Sequence, residues 1–177
     1  MTVYKFQDQL RWSEGVVASE DELLRILRSR IPGCTEVERA ALSDDRQGTD
    51  YWAHRTHGLR SLSIDLKARS EDPMETRGLD DVALETWSVI EHRKPGWTRD
   101  ETKQTDYILW LWQPTKRFLL VPFPALCKCF QHYWRTWCNE YGPPYTQDSG
   151  GWHSECVFVP RSVLLEKLTD WMNGTAA

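Results

Sequence analysis

Between Ser61 and Arg69 apolar and polar residues alternate without a break. Leu62, Ile64, Leu66 and Ala68 fall on one side of an extended strand, and Ser61, Ser63, Asp65, Lys67 and Arg69 on the other. The pattern predicts a strand with one dry face and one wet or functional face. Residues 50–69 read as a hairpin turning at His57-Gly58, a two-residue loop with glycine in second place. Such a turn pairs 56 with 59 and 55 with 60, and so carries Asp50 directly opposite Asp65.

The helical period governs other stretches. In SEDELLRILRSR a serine N-cap at Ser19 precedes an acidic first turn, basic residues close the last turn, and Leu23, Leu24, Leu27 and Ile31 line one face. Pro32-Gly33 ends this helix. CTEVERAAL predicts a short strand, SDDRQG a polar turn, and RSEDPMETRGLDD a charged surface loop broken by Pro73 and Gly78. VALETWSVI, TDYILWLW and RFLLVPF read as strands, and PALCKCFQHYWRTWCNEYG as a helix from about Pro124 to Gly142. GPPYTQDSGGW reads as loop, VFV as a last short strand and SVLLEKLTDWM as a closing helix. No repeat or low-complexity tract marks a linker, so residues 1–177 are expected to form a single α/β domain.

Composition narrows the functional classes. No run approaches the roughly 18 apolar residues of a membrane span, and MTVYKFQDQLRWSEG lacks the apolar middle of a signal peptide, so a soluble, cytoplasmic protein with no membrane contact is expected. Five cysteines, an odd number, fit a reducing compartment and read as packing residues. Cys127 and Cys129 have no second pair at zinc-ligand spacing. The net charge of −4 leaves nucleic-acid contact to a local patch. Ten tryptophans are spread along the chain; most read as core rings, and a few could anchor a protein interface.

The strongest chemistry lies in the hairpin. Carboxylates facing each other across two strands, with Cβ atoms about 4.5–5.5 Å apart, are destabilising unless compensated. A divalent cation is the natural compensation. Lys67 points the same way as Asp65, because strand side chains repeat every second residue. Mg²⁺ or Mn²⁺ takes hard oxygen ligands from one or two carboxylates and keeps waters, which suggests phosphodiester hydrolysis. On these grounds Asp65→Asn is expected to stabilise the metal-free protein slightly.

GTD at Gly48–Asp50 followed by IDLKAR at Ile64–Arg69 resembles the core signature of the PD-(D/E)xK superfamily, which includes restriction enzymes and Holliday-junction resolvases and has small members in bacteriophages. The resemblance covers roughly residues 19–142 in architecture, with about twenty residues carrying the motif. No proline precedes Asp50, a departure at a position that varies in the superfamily. The resemblance implies a restriction-endonuclease-like mixed sheet flanked by helices, with Asp50 as first metal-binding aspartate, Asp65 as second acid and Lys67 as the lysine orienting the attacking water.

Around this centre, Glu85 in LETWS is a candidate third metal ligand, with an exposed edge-strand glutamate as the alternative. Glu22 and Glu38 are lesser candidates. Arg46 and Arg69 are candidate phosphate contacts, and the loop 70–81 or the basic stretch from His92 to Arg99 a candidate backbone contact. Lys103 and Asp106 suggest a further polar cluster. No histidine has an HxxxH or HExxH companion, and neither a nucleophile elbow nor a glycine-rich phosphate loop is present. Two functions follow: a Mg²⁺- or Mn²⁺-dependent deoxyribonuclease with DNA as partner, or a non-catalytic protein that keeps the nuclease fold and binds a protein partner through a Trp-rich surface, as a phage counter-defence inhibitor of a host complex does.

Overall fold

The structure, a computed structural model, describes residues 19–45, 47–56, 58–142, 144–148 and 151–175. In chain order its elements are α1 (Glu20–Arg28), β1 (Cys34–Arg39), α2 (Leu42–Asp45), β2 (Tyr51–Arg55), β3 (Leu62–Arg69), α3 (Pro73–Arg77), β4 (Asp81–Val89), β5 (Lys94–Pro95), a 3₁₀ turn (Trp97–Arg99), β6 (Tyr107–Trp112), β7 (Arg117–Pro122), α4 (Phe123–Tyr141), β8 (Tyr145–Asp148), β9 (His153–Pro160) and α5 (Arg161–Met172). The chain is therefore α/β, as expected. It carries two sheets where a single one was expected, and its contacts resolve into two compact units.

The first unit comprises residues 19–72 and 102–124 and holds a five-stranded sheet in the order β1-β2-β3-β6-β7. The sheet is mixed: β3 and β6 run parallel, and the remaining neighbours are antiparallel. Helix α1 starts where the serine cap places it, with the Glu22 N–H donating to Ser19 Oγ at 3.2 Å. Its Leu23, Ile26 and Leu27 pack with Val37, Tyr51, Ala53, Leu62, Ile64, Leu109 and Leu111 into one apolar cluster. This is the dry face that the alternation of β3 predicts. Gly33, at φ +77°, makes the left-handed turn that ends the helical segment and releases the chain into β1.

The hairpin register is the predicted one. Tyr51 pairs with Ile64 and Ala53 with Leu62, so the next pair outward is Asp50 with Asp65. Thr56 accepts from the Leu59 N–H at 3.3 Å, closing the turn; His57 itself lies outside the described residues. The second face of β3 departs from expectation, because Ser63 and Asp65 are as buried as Leu62 and Ile64. Ile108, Trp110 and Trp112 stand beside Asp65, Lys67 and Arg69 in the parallel register and are buried too. The face expected to be wet is thus buried at Ser63 and Asp65 and half-exposed at Lys67 and Arg69. At the far end Asp72, 1% exposed, is held by Arg117 at 2.8 Å and by the Thr115 hydroxyl at 2.6 Å.

The second unit comprises residues 73–101 and 125–175, and its sheet runs β5-β4-β9-β8, antiparallel throughout. Val82, Leu84, Val157 and Val159 are buried in it, as are Leu164 and Leu168 of α5. Strand β8, YTQD, falls in a stretch expected to be loop, and β9 is far longer than its VFV core. SDDRQG likewise begins in a short helix, α2, in place of a turn. Most described tryptophans are buried or half-buried; Trp152 is the exposed one, at 41%. Among the described residues no helix is long and apolar enough to cross a membrane.

Because Ile64 is 1% exposed and lies next to Asp65 on the opposite face of β3, Ile64→Ala removes packing from beneath the site. Urea titration is expected to register a loss of about 2–5 kcal/mol.

Candidate functional site

Asp65 is 2% exposed, yet it is the ionised member of the acidic pair. Burial opposes its charge, but Lys67 and Lys103 together outweigh burial and hold its carboxyl below the usual carboxylate range. Lys67 Nζ stands 2.7 Å from one oxygen, Oδ1, and Lys103 Nζ 2.7 Å from the other, Oδ2. Both contacts are close ion pairs.

Asp50 sits within hydrogen-bond reach of Asp65 and has the opposite fate. Burial first, then the charge of Asp65, pushes its carboxyl up to about 6, against the pull of Lys67 and of the Leu66 N–H, which donates to Asp50 Oδ2 at 2.7 Å. The two carboxyls are thereby driven apart, Asp65 held low and Asp50 raised to about 6. Sequence reasoning saw the like-charge pair but placed the uncompensated charge on the wrong member. Asp65 has two cations of its own, and Asp50 carries the cost.

The turn that presents Asp50 is tied to the segment that presents Lys103. Thr49 Oγ1 donates to the Gln104 carbonyl at 2.9 Å, and the Gln104 N–H donates to the Gln47 carbonyl at 2.9 Å. Further along the same face Asp106 accepts a bidentate pair from Arg60, at 2.7 and 2.8 Å, and also the Ser63 N–H at 2.9 Å. Burial raises Asp106, but Arg60 and Ser63 prevail and hold it below the usual range. Lys103 and Asp106, suggested by the sequence as one polar cluster, have separate partners, Asp65 for the one and Arg60 and Ser63 for the other. A cleft of about 320 Å³ opens beside them, with Trp52, Arg60, Ser63 and Lys103 among its walls; Asp50 and Asp65 are not part of its lining.

The structure thus unites Asp50, Asp65 and Lys67 and adds Lys103. Arg69 follows Lys67 on the same strand face, level with Trp112. Arg46 lies outside the described residues. Glu85 belongs to the second unit, where its carboxylate accepts the Trp97 N–H at 2.8 Å and caps the 3₁₀ turn. Glu22 pairs with Lys116 at 3.0 Å and Glu38 with His54 at 2.9 Å, so both lesser acids have structural partners. In the basic stretch from His92 to Arg99, the Arg99 guanidinium lies 4.4 and 4.2 Å from the ring centres of Trp87 and Trp134. No protein-family model matches the chain, and no curated protein or solved structure matches it. The site must therefore be read from its own chemistry.

The asymmetry of the pair sets opposite stability effects in metal-free buffer. Asp50 ionises near 6 in the fold against an ordinary 3.8, so the folded state binds the extra proton and stability falls as pH rises between those values. Asp50→Asn is expected to raise the melting temperature at pH ~7.5, the gain vanishing by pH ~4, where the wild-type carboxyl is protonated. Asp65, lowered by its lysines, stabilises above the ordinary carboxylate value and loses that contribution as pH falls through its own. Asp65→Asn is expected to lower the melting temperature at neutral pH, reversing the slight gain argued from the sequence.

Proposed function

We propose that the chain is a metal-dependent nuclease hydrolysing phosphodiester bonds of DNA, with a restriction-endonuclease-like first unit. The observation that carries the reading is the meeting of Asp50, Asp65 and Lys67 on one face of a strand pair, in the register the motif requires. Helix α1, strand β1 and the short helix α2 precede the β2-β3 hairpin, which carries the GTD and IDLKAR residues of the resemblance.

Among the described residues no cluster of three or more histidine, cysteine, aspartate or glutamate side chains gathers as a ligand set. Two carboxylates suffice for Mg²⁺, which keeps several waters and is bound through one or two acids. Asp50 and Asp65 fit that donor set. A bound ion would supply positive charge against the phosphoryl oxygens and acidify a water. Lys67, 23% exposed and paired with Asp65 Oδ1 at 2.7 Å, would orient the attacking water. The apolar walls at Ile108 and Trp110 keep the local dielectric low, which strengthens each of these interactions.

A second reading has its own support. Asp65 is already neutralised by two ammonium groups without any ion, and the chain is acidic overall, which favours a nuclease-fold protein that binds a protein partner.

On the nuclease reading, purified protein is expected to nick or degrade DNA in Mg²⁺ or Mn²⁺ and to be silent in EDTA. Asp65→Asn and Lys67→Ala are each expected to lower cleavage by roughly a hundredfold or more, with Lys67→Ala still binding Mn²⁺ in calorimetry. A wild-type protein inert toward single-stranded, duplex and branched DNA in both metals hands the case to the binding reading.

A further inference from the structure

Lys103 is the least expected member of the site. It comes from the connector ahead of β6, 38 positions after Asp65, and its side chain is 9% exposed. Its Nζ reaches Asp65 Oδ2 at 2.7 Å and also donates to the Gly48 carbonyl at 3.2 Å. The stem lies flat over Gly48, where an added Cβ would fall 2.1 Å from Nζ and 2.8 Å from Cγ. Gly48 also has φ +96°, a conformation side chains rarely adopt. All three residues of the GTD turn thus contribute, since Gly48 makes room for Lys103, Thr49 holds the carbonyl of the residue after it, and Asp50 supplies the acid.

We propose that Lys103 is a substrate-binding residue of the acid centre, which neutralises Asp65 while no cation is held and turns toward the cleft to grip a non-bridging phosphate oxygen once one is. The inference rests on the nuclease reading above and names a residue that the motif does not contain. Three observations support it.

Lys103 and Lys67 stand against different oxygens of one carboxylate, so a cation held on Asp65 would repel both ammonium groups, and Lys67 is the one to which the nuclease reading gives a role beside the acids. Lys103 also lines the cleft holding Trp52 and Arg60, so its flexible four-carbon stem has a polar space to turn into. Finally, two ionised acids cancel a divalent ion, leaving the charges of Lys67 and Lys103 in surplus. A surplus of two positive charges matches the dianionic transition state of phosphodiester hydrolysis better than the monoanionic ground state, and that difference is what accelerates a reaction.

The test uses the full chain, Mn²⁺ and thymidine 3′,5′-bisphosphate, with Ca²⁺ in place of Mn²⁺ where turnover must be avoided. Lys103→Met keeps the stem and removes the charge. It is expected to bind Mn²⁺ roughly tenfold more tightly than wild type, as loss of a like charge a few ångströms away implies. The same variant is expected to bind the bisphosphate about tenfold more weakly and to lose kcat by about a hundredfold. Lys103→Arg is expected to recover part of the bisphosphate affinity. Acetic anhydride labelling of the unmutated protein, read by mass spectrometry, covers the case in which Lys103→Met does not fold. Mn²⁺ is expected to raise acetylation of Lys103, and the bisphosphate to suppress it again.

Unchanged Mn²⁺ and bisphosphate affinities in Lys103→Met, with a lower melting temperature, make Lys103 a structural tie and overturn the inference. Labelling that Mn²⁺ leaves unaltered, although Mn²⁺ binds, does the same while the metal reading stands. If neither wild type nor Lys103→Met binds Mn²⁺, the metal reading falls and takes this inference with it.

Discussion

A carboxylate that is 2% exposed stays ionised only if cations replace the water it has lost, and Asp65 is such a group. Lys67 and Lys103 each take one of its oxygens, and much of the first unit is arranged to let them. Lys67 arrives through the period of β3 itself. Lys103 requires that β6 run beside β3, that the connector ahead of β6 be fastened to the GTD turn, and that position 48 have no side chain. With Asp65 satisfied in this way, Asp50 is left as the partner whose carboxyl is pushed up, to about 6. A pair of acids with divergent proton affinities is a common preparation for acid–base or metal chemistry.

The architecture explains why the polar strip is dry. In an open antiparallel hairpin the Asp65 face would meet water. Here β3 is a central strand between β2 and β6, and its neighbours on that face are Ile108 and Trp110. Burial of both strand faces is what parallel pairing ordinarily brings. It strengthens the interaction of Asp65 with its lysines and raises the cost of leaving any of the three unpaired.

What could be read from the chain alone follows from locality. Strict alternation in β3 and the two-residue turn sufficed to put Asp50 opposite Asp65, because register in a tight hairpin is a matter of counting. The cap at Ser19 was equally local. Lys103 was noticed as polar company for Asp106 but not as a partner of Asp65, since their contact depends on a parallel pairing that no local pattern encodes. Division of the strands between two sheets was illegible for the same reason. Strand β8 escaped because YTQD is a polar edge strand, with no buried face to leave an alternating trace. Nor did anything in the sequence hint that Ser63 and Asp65 lie under cover.

The parallel pairing of β3 with β6 also has a consequence in time. Antiparallel neighbours can be joined by two residues, whereas parallel ones need a long crossover, and here residues 73–101 of the second unit fall within it. On a ribosome adding about 5–20 residues per second, the 38 positions from Asp65 to Lys103 take roughly 2–8 s to emerge. Throughout that interval the nascent hairpin holds two facing aspartates and only one of the two lysines that neutralise Asp65 in the finished protein. The pair of cations that holds Asp65 ionised is therefore completed only when translation delivers Lys103.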